Sequence, residues 1–341
     1  MSINYKILWN ENNDFLEQEV PAPTNTFFVS YAYNGYQSPY FSNIQDAINE
    51  CDGVGYYDII VFAGTYIETL TLIDRVHLHF ENNTRLHPVT GNSGIIFPDS
   101  STNISITGNL DILSDLTTAH TGKYTIETKG GLHKIELKSI SNTGNATYPI
   151  RLNGNINLNV MNVTCPIELV SDSTGEIKAR IVNKIKNNGA VYTLKTEYID
   201  GQIWNYAGNL YVYDCISKVT NGVAFKVESG ELVLNGCTAK EYSESSTAIV
   251  EIKGGLTRIK NCYLKHTSDF GSTILQNYNS TNTNLILVAS TLISGSHTTA
   301  FSIKSNFLTY YSCYGAIYAN RPTDLNTNHK ILAINSSSDI I

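Results

Sequence analysis

Residues 223–237 read VAFKVESGELVLNGC, and residues 248–262 read AIVEIKGGLTRIKNC. Superposed on their cysteines, the two segments align position by position. Val223, Phe225 and Val227 fall against Ala248, Val250 and Ile252. Gly230 then falls against Gly255, and Leu232 and Leu234 against Thr257 and Ile259. Alternation at period two is the pattern of a strand with one buried face. The outward positions agree as well. Lys226 falls beside Glu251 and Glu228 beside Lys253, and stacked strands favour such opposite charges by roughly 0.2–1 kcal/mol per pair.

The anchor extends in both directions. Cys215 ends NLYVYDC, Ser290 ends NLILVAS and Cys313 ends FLTYYSC, so the steps from Cys215 through Cys237, Cys262 and Ser290 to Cys313 are 22, 25, 28 and 23 residues. Upstream, Ile126, Ile150, Ile167 and Val191 extend the series at 24, 17 and 24. A loose period near 24, built of short strands and turns without helices, predicts a β-solenoid. The leucine-rich signature is absent, and a propeller blade needs a longer repeat. Each coil would hold two or three short strands pairing in parallel with the next coil at about 4.8 Å. Residues 58–320 would then form about ten or eleven coils, a rod roughly 50 Å long. Cys215, Cys237, Cys262, Ser290 and Cys313 are expected as one column of small buried fillers.

Composition limits the function classes. Of 341 residues only 16% are charged, and the net charge is -7. Six Arg against 37 Asn leave too few cations to hold a nucleic acid by its phosphates, so no nucleic-acid partner is expected. No apolar run reaches the 18–20 residues or so of a membrane span, so no membrane partner is expected either. The start, MSINYKILWNENNDF, lacks the basic and long apolar regions of a signal peptide, which predicts synthesis in the cytoplasm. The six cysteines, Cys51, Cys165, Cys215, Cys237, Cys262 and Cys313, show no CxxC pair. No metal site is expected from them, and without a secretory signal they are expected as free thiols.

An open solenoid end exposes strand edges and must be covered. Residues 42–51, SNIQDAINEC, give one helix signal, with Ser42 or Asn43 as cap and Ile44, Ala47 and Ile48 as an apolar face. Residues 1–41, with Pro21, Pro23, Phe27, Phe28, Tyr31, Tyr33, Tyr36 and Tyr40, are expected as an arm packing on the rod or on a partner. The domain reading is therefore an arm over 1–41, a capping helix and lead-in over 42–57, the solenoid over 58–320 and a cap or tail over 321–341. The stretch FSNIQDAINECDGVGYYDIIVFAGTYIETLTLIDRVHLHFENNTRL resembles the opening of pectate-lyase-like right-handed parallel β-helix proteins. The resemblance rests on the IQDAI helix and on DIIVFAGTY with Asp58, Gly64 and Tyr66. It implies the fold class, an all-β right-handed parallel β-helix, and it leaves the activity open, because that fold serves lyases, glycosidases, epimerases and non-catalytic virus spikes.

For the lyases among them, the resemblance implies Ca2+ held by carboxylates and an Arg as base. Arg151 and Arg180 near Glu168, Asp172 and Glu176 form the set to inspect. For polygalacturonases it implies an Arg-Ile-Lys motif. Arg258-Ile259-Lys260 stands alone here, and its alternation fits an ordinary strand. A glycosidase needs two carboxylates about 5–5.5 Å or 6.5–9.5 Å apart. Asp111 and Asp115, with His120, share one loop, and Glu197, Asp200 and Asp214 lie in another region. His77 and His79 alternate on one strand and could bind a metal, but an exposed i, i+2 pair with no further partner is expected as plain surface. Aromatics stand out more than acids. Tyr192, Tyr198, Trp204, Tyr206, Tyr211 and Tyr213 crowd 22 residues, and Tyr310, Tyr311, Tyr314 and Tyr318 form a second group. Tyr and Trp offer a flat apolar face with a polar edge, suited to sugar rings. The first group is the expected carbohydrate-binding surface. The functional expectation is a structural or adhesion protein of a virus particle, of the phage fibre or spike type. It would bind polysaccharide, form a homotrimer and contact other virion proteins through residues 1–41. No cofactor is expected, with Ca2+ only in the alternative of a polysaccharide lyase or glycoside hydrolase.

Overall fold

In the computed structural model, residues 25–33, 38–99, 103–219, 222–242 and 248–266 are described. Beyond them are the strands Ile274–Gln276, Thr283–Val288, Thr291–Ile293 with Ser290 before it, Phe301–Ser302 and Phe307–Tyr311. The described strands pair in parallel with the preceding and following coil, from Thr26–Val29 against Tyr57–Val61 to Thr283–Val288 against Phe307–Tyr311. Parallel pairing between successive coils makes the chain an all-β parallel β-helix, and its hand is the right-handed one that parallel crossovers adopt. The rod has three faces. Sheet A carries strands such as Tyr57–Val61, Glu231–Asn235 and Gly255–Lys260, sheet B follows it across a corner with Ile216–Ser217, Thr238–Tyr242 and Tyr263–His266, and sheet C carries three-residue strands such as Ile150–Leu152 and Ile167–Leu169.

The inward column of sheet C records the coils. Leu70, Ile95, Ile126, Ile150, Ile167, Ile185, Ile203, Phe225 and Val250 are paired in succession, and the same backbone pairing continues through Ile274 and Phe301. From Leu70 to Val250 none exposes any surface. The register predicted from the two aligned segments is the observed one: Lys226 pairs with Glu251, Val227 with Ile252 and Leu234 with Ile259. The glycines at 208, 230 and 255 all have φ near +75° and stack at the corner between sheets C and A. A Cβ on Gly230 would lie 1.9 Å from the Gly208 carbonyl oxygen, so this corner requires glycine.

Three expectations shift. Val191 does not follow Ile167; Ile185 does, 18 residues on. Val191 instead lies on sheet A beside Thr174 and Asn209 and is 43% exposed. The reason is a shortened coil, because Ile185–Ile199 is one continuous strand that bends from sheet C to sheet A and leaves no loop to fill a 24-residue period. Secondly, the solenoid starts before residue 58. Thr26–Val29 is a rung paired with Tyr57–Val61, and Phe27, Val29 and Phe41 are buried, so residues 25–33 and 38–41 belong to the rod; residues 1–24 and 321–341 lie outside the described residues. Thirdly, the helix Ile44–Asn49 buries Ile44, Ala47 and Ile48 as expected, but neither Ser42 nor Asn43 caps its backbone. Glu68 does so from the next turn, its carboxylate oxygens accepting from the Ile44 N–H at 3.0 Å and the Gln45 N–H at 2.8 Å. Two orphan donors are thereby satisfied across the coil.

Cys51, Cys165, Cys215, Cys237 and Cys262 are buried free thiols, and Ser290 continues the column. Burial pushes the Cys165 thiol up to about 12, which keeps it protonated and inert. Cys313 lies outside the described residues.

Candidate functional site

The outward column of sheet C gathers the chemistry. In successive coils it reads Glu127, Arg151, Glu168, Lys186, Trp204, Lys226 and Glu251. Each strand contributes one outward side chain between two inward ones, so neighbours in this column are about 4.8 Å apart at the backbone. Arg151 stands between two carboxylates, with Nη1 3.4 Å from Glu127 Oε1 and Nε 3.8 Å from Glu168 Oε2. The other oxygen of Glu168 accepts from the Asn188 amide at 2.6 Å. Further along, Lys226 Nζ is 2.9 Å from Glu228 and Lys253 Nζ is 3.5 Å from the same oxygen.

Trp204 is the centre of an aromatic and cationic group. The Lys226 ammonium lies 4.7 Å from the indole centre and the Lys186 ammonium 5.4 Å. Lys186 is also 5.6 Å from the rings of both Tyr148 and Tyr206, and Lys184 is 5.6 Å from Tyr148. Trp204 and Tyr206 meet edge to face at 5.9 Å. Among the described residues, neither Lys184 nor Lys186 has a carboxylate within 4 Å, whereas Lys226 does. The Trp204 indole N–H is buried without a partner, and Tyr206 is 52% exposed. Burial first, then the charge of Glu168, raises the Tyr148 hydroxyl pKa, so it remains a hydrogen-bond donor. The cluster combines one open ring face and two uncompensated ammonium groups, a set suited to an anionic ligand with an apolar ring face.

The residues singled out from sequence separate across the faces. Arg151 and Glu168 come together, joined by Glu127. Arg180 does not join them; it pairs with Glu197 at 3.6 Å, in the strand Thr174–Val182. Asp172 sits exposed in the turn after Ile167–Leu169 with φ +62°. Asp111 and Asp115 are no pair. Asp111 lies in the strand Ile104–Ser114 and Asp115 just past its end, and they bind different partners. Asp111 binds Lys138 at 2.7 Å and the Ser139 hydroxyl at 2.6 Å, while Asp115 accepts from the Gly91 N–H at 3.1 Å. Burial raises the Asp111 pKa, but Lys138 and Ser139 outweigh it and hold the carboxyl below its ordinary value. Arg258 bonds Glu231 at 2.6 Å and Ile259 points into the core, so that tripeptide is ordinary strand.

The aromatic group divides too. Tyr192 points inward and is 1% exposed, so its ring is core and not a binding surface. It follows Ala190 and precedes Leu194 on the inward phase of its strand. Tyr198 carries the Lys218 ammonium 3.9 Å above its ring on sheet B. Tyr211 and Tyr213 face outward on sheet A, the former 3.4 Å from Glu231. Only Trp204 and Tyr206 of the six meet in the cluster. Tyr148, Lys184 and Lys186 were missed. Tyr148 comes from the loop before Ile150–Leu152, and nothing in its local pattern distinguishes it. Tyr314 and Tyr318 lie outside the described residues, as do the side chains of Tyr310 and Tyr311.

No protein-family model and no curated protein matches the chain. Among solved structures it is similar to pectin methylesterase PemA from Erwinia chrysanthemi, at 14% identity over 91% of this chain and 92% of that one, with a TM-score of 0.21. A likeness at that score decides nothing about activity, and the fold stands on the strand register.

Proposed function

We propose that the chain is a glycan-binding β-helix rod that does not cut its ligand, and that it serves as a fibre- or spike-type component of a virus particle. The observation that carries the binding part is the pair of uncompensated ammonium groups, Lys184 and Lys186, over the Tyr148 ring beside the open face of Tyr206. An acidic sugar satisfies both features, with its carboxylate on the lysines and its ring on the tyrosine. The reading without catalysis is supported by where the acids sit. A general acid must hold its proton near neutral pH; Asp111, Glu176 and Glu228 are held below their ordinary values by lysine partners that outweigh burial, and Glu68, which burial raises, has both oxygens engaged by the capping helix. The virion role rests on the resemblance of residues 42–86 and on the aromatic N-terminal segment, and it carries the expectation of a homotrimer. One arrangement favours the alternative of a polysaccharide lyase or hydrolase: Arg151 between Glu127 and Glu168.

Titration calorimetry with uronate-containing and neutral oligosaccharides, alongside assays for new reducing ends and 235 nm absorbance, tests these readings together. Binding of the acidic series only, weakened about tenfold in both Lys186→Ala and Tyr206→Ala, with no product, is the expected result. Product formation abolished by Arg151→Ala would make the chain an enzyme. Absence of binding to either series would remove the sheet C site. Light scattering of the purified chain tests the trimer.

A further inference from the structure

Near the capped end, on the outer face of sheet A, Asp58 and Thr107 give the pair His77 and His79 the partners that the local pattern lacks. His77 and His79 project from the strand Val76–Leu86, with Asp58 beside His77 on the preceding rung and Thr107 beside His79 on the following one. His77 Nδ1 is 3.0 Å from Asp58 Oδ1. His77 Nε2 is 2.9 Å and His79 Nδ1 is 3.1 Å from the same atom, Thr107 Oγ1. The rings stand 6.4 Å apart, inclined at 68°. Glu81 Oε1 lies 4.0 Å from His79 Nε2.

The protons in this cluster are constrained. Asp58 accepts, so Nδ1 of His77 carries the hydrogen and Nε2 presents its lone pair. Thr107 has one hydroxyl hydrogen to share between two ring nitrogens. We propose that His77 Nε2, Thr107 Oγ1 and His79 Nδ1 form an open site for a first-row transition-metal dication, with Asp58 orienting His77 from behind. Metal bonds of about 2.1 Å to nitrogen and oxygen put adjacent ligand atoms about 3.0–3.4 Å apart, according to geometry. The two nitrogen–oxygen distances here, 2.9 and 3.1 Å, lie just below and just inside that range, so the rings move outward to admit the ion. The carboxylate on the far ring nitrogen is the arrangement that fixes the tautomer of metal-binding histidines. Asp58 and Glu81 also offset part of the added charge.

The site is not a closed cage. Among the described residues no group of three or more His, Cys, Asp or Glu gathers to hold a metal; here the donors are two imidazoles and a hydroxyl. The His77 and His79 side chains are 39% and 46% exposed, which leaves the remaining coordination positions open to water or to a donor on another molecule. Two neutral nitrogens favour copper over nickel and zinc, and exclude calcium and magnesium, which require oxygen cages. The cluster lies on a different face from the Trp204 group and does not depend on the glycan reading.

The test is calorimetric titration of the full chain with Cu2+, Ni2+, Zn2+ and Ca2+, with paramagnetic resonance of the copper form. The expected result is one saturable Cu2+ equivalent, weaker Ni2+ and Zn2+ binding and no Ca2+ heat. His77→Gln and His79→Gln should each lower Cu2+ affinity at least tenfold, while His87→Gln and His120→Gln leave it unchanged. The copper spectrum should show two equatorial imidazole nitrogens that fall to one in either of the first pair. Both histidines are on the surface, and an unchanged thermal melt confirms that the variants fold. Absence of a saturable Cu2+ equivalent, or wild-type affinity retained in both His77→Gln and His79→Gln, would overturn the proposal.

Discussion

The corner between sheets C and A near Asn187 and Asn205 and the corner between sheets A and B near Cys237 and Cys262 turn the same chain with different chemistry. At the first, two fully buried amides do the work. Asn187 donates to Asn205 Oδ1 at 2.8 Å and accepts from the Ala190 N–H at 2.8 Å. The two N–H hydrogens of the Asn205 amide are shared among the carbonyls of Gly208, Ser229 and Glu231 at 3.0–3.2 Å, which ties one turn to the next coil. At the second corner, Cys237 reaches the Val212 carbonyl at 3.6 Å and Cys262 the Leu234 carbonyl at 3.5 Å. A thiol is a weak donor that mainly fills volume. The amide corner is specified by hydrogen bonds and the thiol corner by size. The substitution already present at Ser290 agrees, since a hydroxyl occupies the thiol column and accepts from the Cys262 N–H at 3.2 Å.

The largest test of this contrast is Asn205→Ala. It removes the donor to three part-buried carbonyls and the acceptor of the buried Asn187 amide, and should cost about 2 kcal/mol or more in denaturant unfolding. A loss under about 1 kcal/mol would show that water replaces the amide and that the corner is not held by it. Cys237→Ala should cost only about 1 kcal/mol, the loss of one small filler, and Cys262→Ser should cost less than Cys262→Ala. Equal losses at the two corners would erase the distinction.

His133 supplies a pH version of the same test. It is buried beside Phe97, with ring centroids 4.8 Å apart, and its Nε2–H bonds the Gly130 carbonyl at 2.6 Å. Burial lowers its pKa below 6.5, against a smaller opposing effect of that carbonyl. The unfolded chain therefore takes up a proton first as pH falls, so the stabilisation is complete above pH 6.5 and is lost as the pH drops towards the folded value. Melting temperature should fall between pH 7.5 and 5.5, and the slope should flatten in His133→Leu. An unchanged slope in that variant would assign the effect elsewhere. The smallest effect belongs to the surface carboxylates. Glu176 is lowered by its bonds to Lys178 and Lys195, so its contribution is present at neutral pH and lost as the pH falls through the carboxylate range. Glu176→Gln should change stability by under about 1 kcal/mol, less at high salt.

The coils around Cys215 to Cys262 were legible because their loops are of similar length, so alignment on cysteine gave the true register, including Lys226 beside Glu251. The step of 17 from Ile150 to Ile167 was legible too, but the coils from Ile167 to Ile203 were not. Their steps are 18 residues, and carrying the longer period through them placed Val191 in the wrong column and left the phase of Tyr192 unread. The candidate site was half legible. Trp204, Tyr206, Arg151 and Glu168 were named, but alongside Arg180, Asp172, Tyr198, Tyr211 and Tyr213, which share their stretch of chain and not their face.

The sequence by itself determined which residues turn inward, because apolar alternation is a local signal set by transfer from water. It determined the capping helix and the small residues of the thiol column for the same reason. Only the tertiary structure decided which outward side chains meet. Neighbours across coils are 17 to 31 residues apart along the inward column of sheet C, and that spacing depends on the length of every intervening turn. Tyr148 over Lys186, and Thr107 between His77 and His79, are products of turn lengths and have no signature in the chain.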